Sequence, residues 1–271
     1  MSKNIFITGV SSGLGRAMAE AALARGHRVI GTLRQGDQLA AFERNAPGRA
    51  IGRLLDVTDI SKIETLVTSI EAEYGAIDVL INNAGYGLRG VVEELALDAL
   101  RQQFEVNVFA PVALIQAVLP GMRKRRQGHI INISSMGGVV AFPGLGAYNS
   151  SKFAILGIGD ALAKEVAPLG IHVTTVEPGV FRSDWGGRSL AQSDHVIPDY
   201  HWVFDAKRAP AFNWGDPAAL AAVVMDVIDA DVPPLHLLVG PTAVRLVREK
   251  LAALSAEIDR WEPLSQANGE G

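Results

Sequence analysis

Short runs rich in Ile, Val and Leu recur along the chain at 4–8, 28–33, 50–55, 77–81, 129–133, 171–176 and 235–239. They do not alternate strictly between apolar and polar positions, as expected for strands covered on both faces. Between them lie longer stretches whose apolar residues recur with helical spacing, at about 13–25, 59–74, 98–124, 147–167, 216–229 and 242–260. The stretch 98–124 is long enough to hold a break. This alternation predicts repeated strand–helix units and an α/β fold: one doubly wound, seven-stranded parallel sheet with helices on both faces. No internal repeat or linker divides the chain, so residues 1–271 read as a single domain.

Residues 179–215 break the rhythm. They hold Phe181, Trp185, His195, Tyr200, His201, Trp202, Phe204, Phe212 and Trp214 among several Gly and Pro. A long irregular segment inside a compact domain is usually functional, and a lid over a substrate is expected here. The tail from about 262 to 271 is expected to fray.

Composition narrows the class. The chain is 48% hydrophobic and 20% charged with a formal net charge of −4, which argues against a nucleic-acid surface. The basic run Arg123-Lys124-Arg125-Arg126 reads as a solvated helix C-terminus, where cations oppose the helix dipole. There is no cysteine, which excludes disulfides, thiolate nucleophiles and Cys-based metal sites. The six histidines are scattered without ligand-like spacing, and no metal is expected. Residues Met1–Ile7 do not read as a signal peptide, and no run of 18 or more apolar residues suggests a membrane span. A cytoplasmic protein is the expectation.

The first chemistry-bearing motif is Thr8-Gly9-Val10-Ser11-Ser12-Gly13-Leu14-Gly15, between a predicted strand and a predicted helix. Glycines allow a tight turn and a close backbone approach to a pyrophosphate, and the helix N-terminus supplies N–H donors. No Lys-Ser or Lys-Thr follows, so this is not a P-loop. At the end of the second strand, Leu33 stands where an acid would hold the ribose of NAD. Arg34 offers a guanidinium that suits a 2′-phosphate, which favours NADP(H) over NAD(H), or it is a solvated surface arginine. Asp37 nearby keeps NAD(H) open. Asp56-Val57 could serve an adenine or cap the next helix. Asn82-Asn83-Ala84-Gly85 could admit a cofactor closely or form a turn.

The second group is catalytic in character. Tyr148 and Lys152 stand four residues apart, one turn along a predicted helix and on the same face. A cation beside a phenol stabilises the phenolate, so the pair can exchange a proton with a bound molecule. Ser135, thirteen residues before Tyr148, lies where the fifth strand leaves the sheet, where it could meet a carbonyl or cap a turn. Asn107 interrupts an apolar run and must find partners, either structural or through a water reaching Lys152.

Together these residues resemble the short-chain dehydrogenase/reductase family in its short, single-domain Rossmann form. The match runs from Asn4 to about Val239. Wording such as Asn83-Ala84-Gly85-Tyr86-Gly87 and Glu177-Pro178-Gly179 is similar to the branch of 17-beta-hydroxysteroid dehydrogenases, which is broad in substrate. The resemblance implies that Tyr148 is the general acid for ketone reduction and the base for alcohol oxidation. It implies that Lys152 lowers the tyrosine pKa and binds the nicotinamide ribose, that Ser135 polarises the carbonyl, and that Asn107 anchors a proton-relay water. Pro178, Gly179, Val180 and Ser183 would lie along the nicotinamide carboxamide; the family often has threonine where Ser183 stands. The implied activity is hydride transfer between NADP(H) and a ketone or secondary alcohol, and the aromatic segment 179–215 suits a bulky hydrophobic one. A homodimer or homotetramer is implied, with 98–124 and 147–167 as the candidate contact helices. A cofactor-sensing protein without turnover and a dehalogenase-like relative are the alternatives. The intact glycine turn and Lys152 argue against the second, and the retained Tyr148 and Lys152 against the first.

Overall fold

The computed structural model describes residues 2–182, 190–205 and 214–267. Its strands are β1 (Asn4–Ile7), β2 (Arg28–Leu33), β3 (Ala50–Leu54), β4 (Val79–Asn82), β5 (Gly87–Arg89), β6 (Gly128–Ile133), β7 (Ile171–Pro178), β8 (Leu190–Gln192) and β9 (His236–Val239). Seven of them form one sheet in the order β3-β2-β1-β4-β6-β7-β9, with every pairing parallel. The order reverses between β1 and β4, and the crevice at the carboxyl ends of those two strands is where such sheets bind ligands.

The helices are α1 (Gly13–Ala24), α2 (Asp37–Glu43), α3 (Ile63–Tyr74), α4 (Leu97–Phe104), α5 (Ala110–Arg125), α6 (Gly146–Val166), α7 (Pro217–Asp229) and α8 (Pro241–Gln266). Successive strand residues serve opposite faces of the sheet. Ile5 and Ile7 pack with Met18 of α1 and Val224 of α7, while Phe6 packs with Val67 of α3, Leu114 of α5 and Leu162 of α6. This is why the strands carry nearly continuous apolar runs.

The structure refines the sequence reading at several elements. Helix α2 is only seven residues long, shorter than the window over which helical periodicity is read, and the sequence reading has no helix there. The stretch 98–124 is broken: a π-turn at Glu105–Phe109 separates α4 from α5. By length and composition the combined run Leu97–Arg125 could cross a membrane, but Leu114, Val118 and Met122 are buried in the core. The segment 179–215 is not wholly irregular: β8 pairs parallel with β5, and Pro198–Phe204 forms 3₁₀ turns. Helix α8 does not end near 260 but runs to Gln266, with Gln266 Nε2 donating to Glu262 Oε1 across one turn. The basic run does close α5, where Arg125 meets Glu71 and Arg126 takes the left-handed cap conformation.

Candidate active site

A cavity of about 850 Å³ opens at the β1/β4 reversal. Its floor is the glycine turn. Gly9 has φ +73° and Gly13 φ +57°, both left-handed values that favour glycine. A Cβ on Gly15 would stand 2.2 Å from Gly9 O and 2.4 Å from Asn83 Nδ2, so α1 can nest against the turn only with glycine there. The turn is held from both sides. Asn83 Nδ2 donates to the carbonyls of Thr8 and Gly9, and Thr8 Oγ1 accepts from the amides of Asn83 and Ala84. Thr32 Oγ1 accepts from Gly9 N. Helix α1 begins without a side-chain cap, so its first N–H groups face the cavity unclaimed by a capping side chain. That N-terminus, the Gly15 cradle and the cavity volume fit a dinucleotide.

Ser11, Ser12, Leu14, Gly85, Val57, Asp56 and Arg34 line the same cavity. Asp56 is occupied locally: its Oδ1 accepts from the Thr58 amide and hydroxyl, which together hold the carboxyl below the usual range. Arg34 is exposed at the rim and makes no hydrogen bond or ion pair among the described residues. Asp37 opens α2 and does not line the cavity; Gln35 and Gln38 do.

Tyr148 and Lys152 line the inner end, both on α6 and both buried. Lys152 Nζ lies 5.8 Å from the Tyr148 ring centroid and donates to the Ile133 carbonyl at 2.8 Å. Ser135 hydrogen-bonds the tyrosine side chain, while its own Oγ accepts from Gly137 N as a turn cap. Burial pushes the Tyr148 phenol up to about 12, with the Ser135 hydrogen bond acting the other way. Burial lowers the Lys152 ammonium to about 8. Desolvation outweighs the Ser135 hydrogen bond, so burial sets the direction for the phenol. At neutral pH the pair is a protonated phenol beside a lysine that keeps most of its charge.

The supports of the pair were largely invisible in the sequence. Glycines 137 and 138 lie against α6, where a Cβ would meet Asn149 Nδ2 at 2.8 Å and Ser134 Oγ at 2.6 Å respectively. Asn149 bridges Gly137 O and Phe142 N, and Ser134 Oγ donates to Lys152 O. Asn107, in the π-turn, is buried behind this group. Its Nδ2 donates to Tyr86 O and Ser151 Oγ, and its Oδ1 accepts from Tyr86 N. Its side chain is thus spent on protein partners; a Cβ on Gly85 would sit 3.0 Å from Asn107 Oδ1 and 3.6 Å from Lys152 Nζ.

Pro178 ends β7 and Gly179 and Val180 follow it, with Gly179 N donating to Val239 O; none of the three lines the cavity. Ser183, Trp185 and Phe212 lie outside the described residues. Phe181 is buried in the core, whereas Trp202 and Trp214 are half-exposed. Leu190 and Ala191 of β8 reach the cavity, as do Tyr86, Gln102 and Val106; the sequence assigned no site role to any of these individually. Buried Glu94 fastens the segment after β8: its Oε1 accepts from Ile197 N, and Ser193 Oγ donates to its carbonyl.

The family model for short chain dehydrogenases matches residues 3–193. Oxidoreductase BOA17 of Botryotinia fuckeliana is 40% identical over 99% of this chain and 100% of its own. The NADPH-dependent 3-dehydrocapnine reductase of Ornithobacterium rhinotracheale is 37% identical over 73% of this chain and 72% of its own. A short-chain dehydrogenase from Streptomyces avermitilis has a solved structure that superimposes with a TM-score of 0.93 at 40% identity, covering 100% of both chains. Fold, cavity and relatives agree: the chain belongs to the short-chain dehydrogenase family of oxidoreductases, which act on CH–OH or carbonyl groups.

Proposed function

We propose that this protein is a carbonyl reductase that uses NADP(H) to interconvert a bulky hydrophobic ketone and its secondary alcohol. The observation that carries this reading is the position of Tyr148, hydrogen-bonded to Ser135 and beside Lys152, at the inner end of the cavity that begins at the glycine turn. When bound, the nicotinamide nucleotide supplies or accepts the hydride. Tyr148 holds the proton: with its phenol pushed up to about 12 it stays protonated at neutral pH and donates from Oη to the carbonyl oxygen during reduction. Ser135 steadies that oxygen with its hydroxyl, and Lys152 places its charge beside the phenolate that forms. In alcohol oxidation the same proton returns to Tyr148.

The preference for NADP(H) rests on Arg34, an exposed guanidinium at the rim where NAD enzymes carry an acid, and is supported by the NADPH-dependent relative. Asp56 and Val57 would flank the adenine, and Pro178–Val180 with Ser183 the carboxamide. The hydrophobic substrate class rests on Leu190, Ala191 and Val106 along the wall and on the half-exposed Trp202 and Trp214 in the segment we read as a lid. Half-exposed Phe109 and Phe153, beside α5 and on α6, support a homodimer or homotetramer through those helices. A cytoplasmic location completes the reading. Mixing the protein with NADPH and a panel of aliphatic, aryl and polar ketones tests it by the loss of reduced-nicotinamide absorbance. Turnover with bulky apolar ketones and faster use of NADPH than NADH is expected. Binding of NADPH with no turnover on any ketone would instead favour a sensor.

A further inference from the structure

Every described residue of α8 from Arg248 onward is exposed. The start of the helix is anchored, with Ala243 and Val247 packing against Met136. The apolar stripe to which Val247 belongs does not end there. Leu251, Leu254, Ile258 and Trp261 carry it outward at alternating spacings of three and four residues, and they are 54%, 41%, 58% and 54% exposed. That spacing is the seam of a two-helix pairing. Most helical stability in proteins comes from packing an apolar face, so whatever covers the stripe also stabilises the helix.

We propose that the seam is covered by α8 of a second copy of this chain, running antiparallel, with the two-fold axis beside Ala256. In that register Leu254 packs on the partner's Ile258, and Leu251 packs on the partner's Trp261; residue 256 lies midway in both pairs. The flanking charges select this arrangement. Arg248 falls opposite the partner's Glu262, and symmetry repeats the pair at the other end. Glu257 faces its own copy at the axis, the one like-charge contact. A parallel pairing along the same stripe would set Glu257 against the partner's Glu262 on both sides and would offer no opposite pair in return, since Lys250 would meet only Ser255. The contact is distinct from the α5/α6 face and does not depend on the activity proposed above.

The cysteine-free chain allows a register test without background. Ser255→Cys places a thiol one residue from the axis. Ser265→Cys places it nine residues away, so its two copies would lie about 27 Å apart along the seam at 1.5 Å per residue. A short bismaleimide should give a covalent dimer with Ser255→Cys and not with Ser265→Cys. Equal cross-linking of both would show a parallel pair, and cross-linking of neither would show that a second copy does not occupy the seam; either result overturns the proposal. Sedimentation of the full chain gives an independent reading. Arg248→Glu should weaken one association step by about tenfold, since two attractive pairs become repulsive. Adding Glu262→Arg to it should restore the affinity. A double variant no better than Arg248→Glu would overturn the register.

Discussion

Replacing Lys152 by Met should make the ligand-free protein more stable while disabling it. Burial lowers the lysine from 10.5 to about 8. At about 1.4 kcal/mol per pKa unit, holding the ammonium inside costs the folded state about 3 kcal/mol at pH 7. Met fills similar space without a charge, but leaves the Ile133 carbonyl without its 2.8 Å donor, a loss of about 1 kcal/mol. The net gain is about 2 kcal/mol, a rise in Tm of about 5 °C for a chain of this size. The sign with pH follows from a folded pKa below the unfolded one. The penalty is complete below about 8 and fades as pH rises toward 10.5, so the wild type catches up over that window. Thermal unfolding of both proteins without nucleotide, at pH 7 and pH 10, measures it. Tyr148 titrates above this window and is common to both. An advantage absent at pH 7, or undiminished at pH 10, would refute the reasoning.

Three further outcomes are expected. Arg34→Ala should weaken NADPH by about 1–3 kcal/mol and NADH far less, because one charge-assisted phosphate contact is lost; equal losses in a binding titration would remove Arg34 from cofactor choice. For ketone reduction, kcat/KM should fall as pH rises through about 8, where Lys152 of the free enzyme loses its proton, and a profile flat from pH 6 to 9 would contradict a charged lysine as a requirement. Hydrogen exchange across the described 190–204 should slow with NADPH and slow again with a competent ketone if the segment is a lid; identical protection in all three states would make it a static part of the wall.

The sheet was legible because its strands are covered on both faces and so advertise themselves as apolar runs. The seven strands follow the positions read from the sequence to within a residue or two. The three-residue strands β5 and β8 and the seven-residue helix α2 are too short to stand out: the strands hold no apolar run, and α2 falls below the window of about 11–18 residues over which helical periodicity is read. The site residues were legible where the backbone demands a residue type, as at Gly9, Gly13 and Gly15, or where two side chains share a helix face, as at Tyr148 and Lys152. What remained hidden depends on contacts distant in sequence. Asn83 latching the Thr8–Gly9 turn, Asn107 clasping Tyr86 and Asn149 tying Gly137 to α6 are amides whose partners only the fold supplies. The high phenol pKa was likewise invisible, since spacing names a neighbour but not the depth of burial.

The central claim is that Tyr148 delivers the proton, and Tyr148→Phe tests it most directly because it removes one hydroxyl and keeps the ring. Single-turnover oxidation of NADPH with a competent ketone should slow by about 10²–10⁴-fold while NADPH affinity stays within a factor of about three. A variant that turns over at close to the wild-type rate would show that the proton comes from elsewhere.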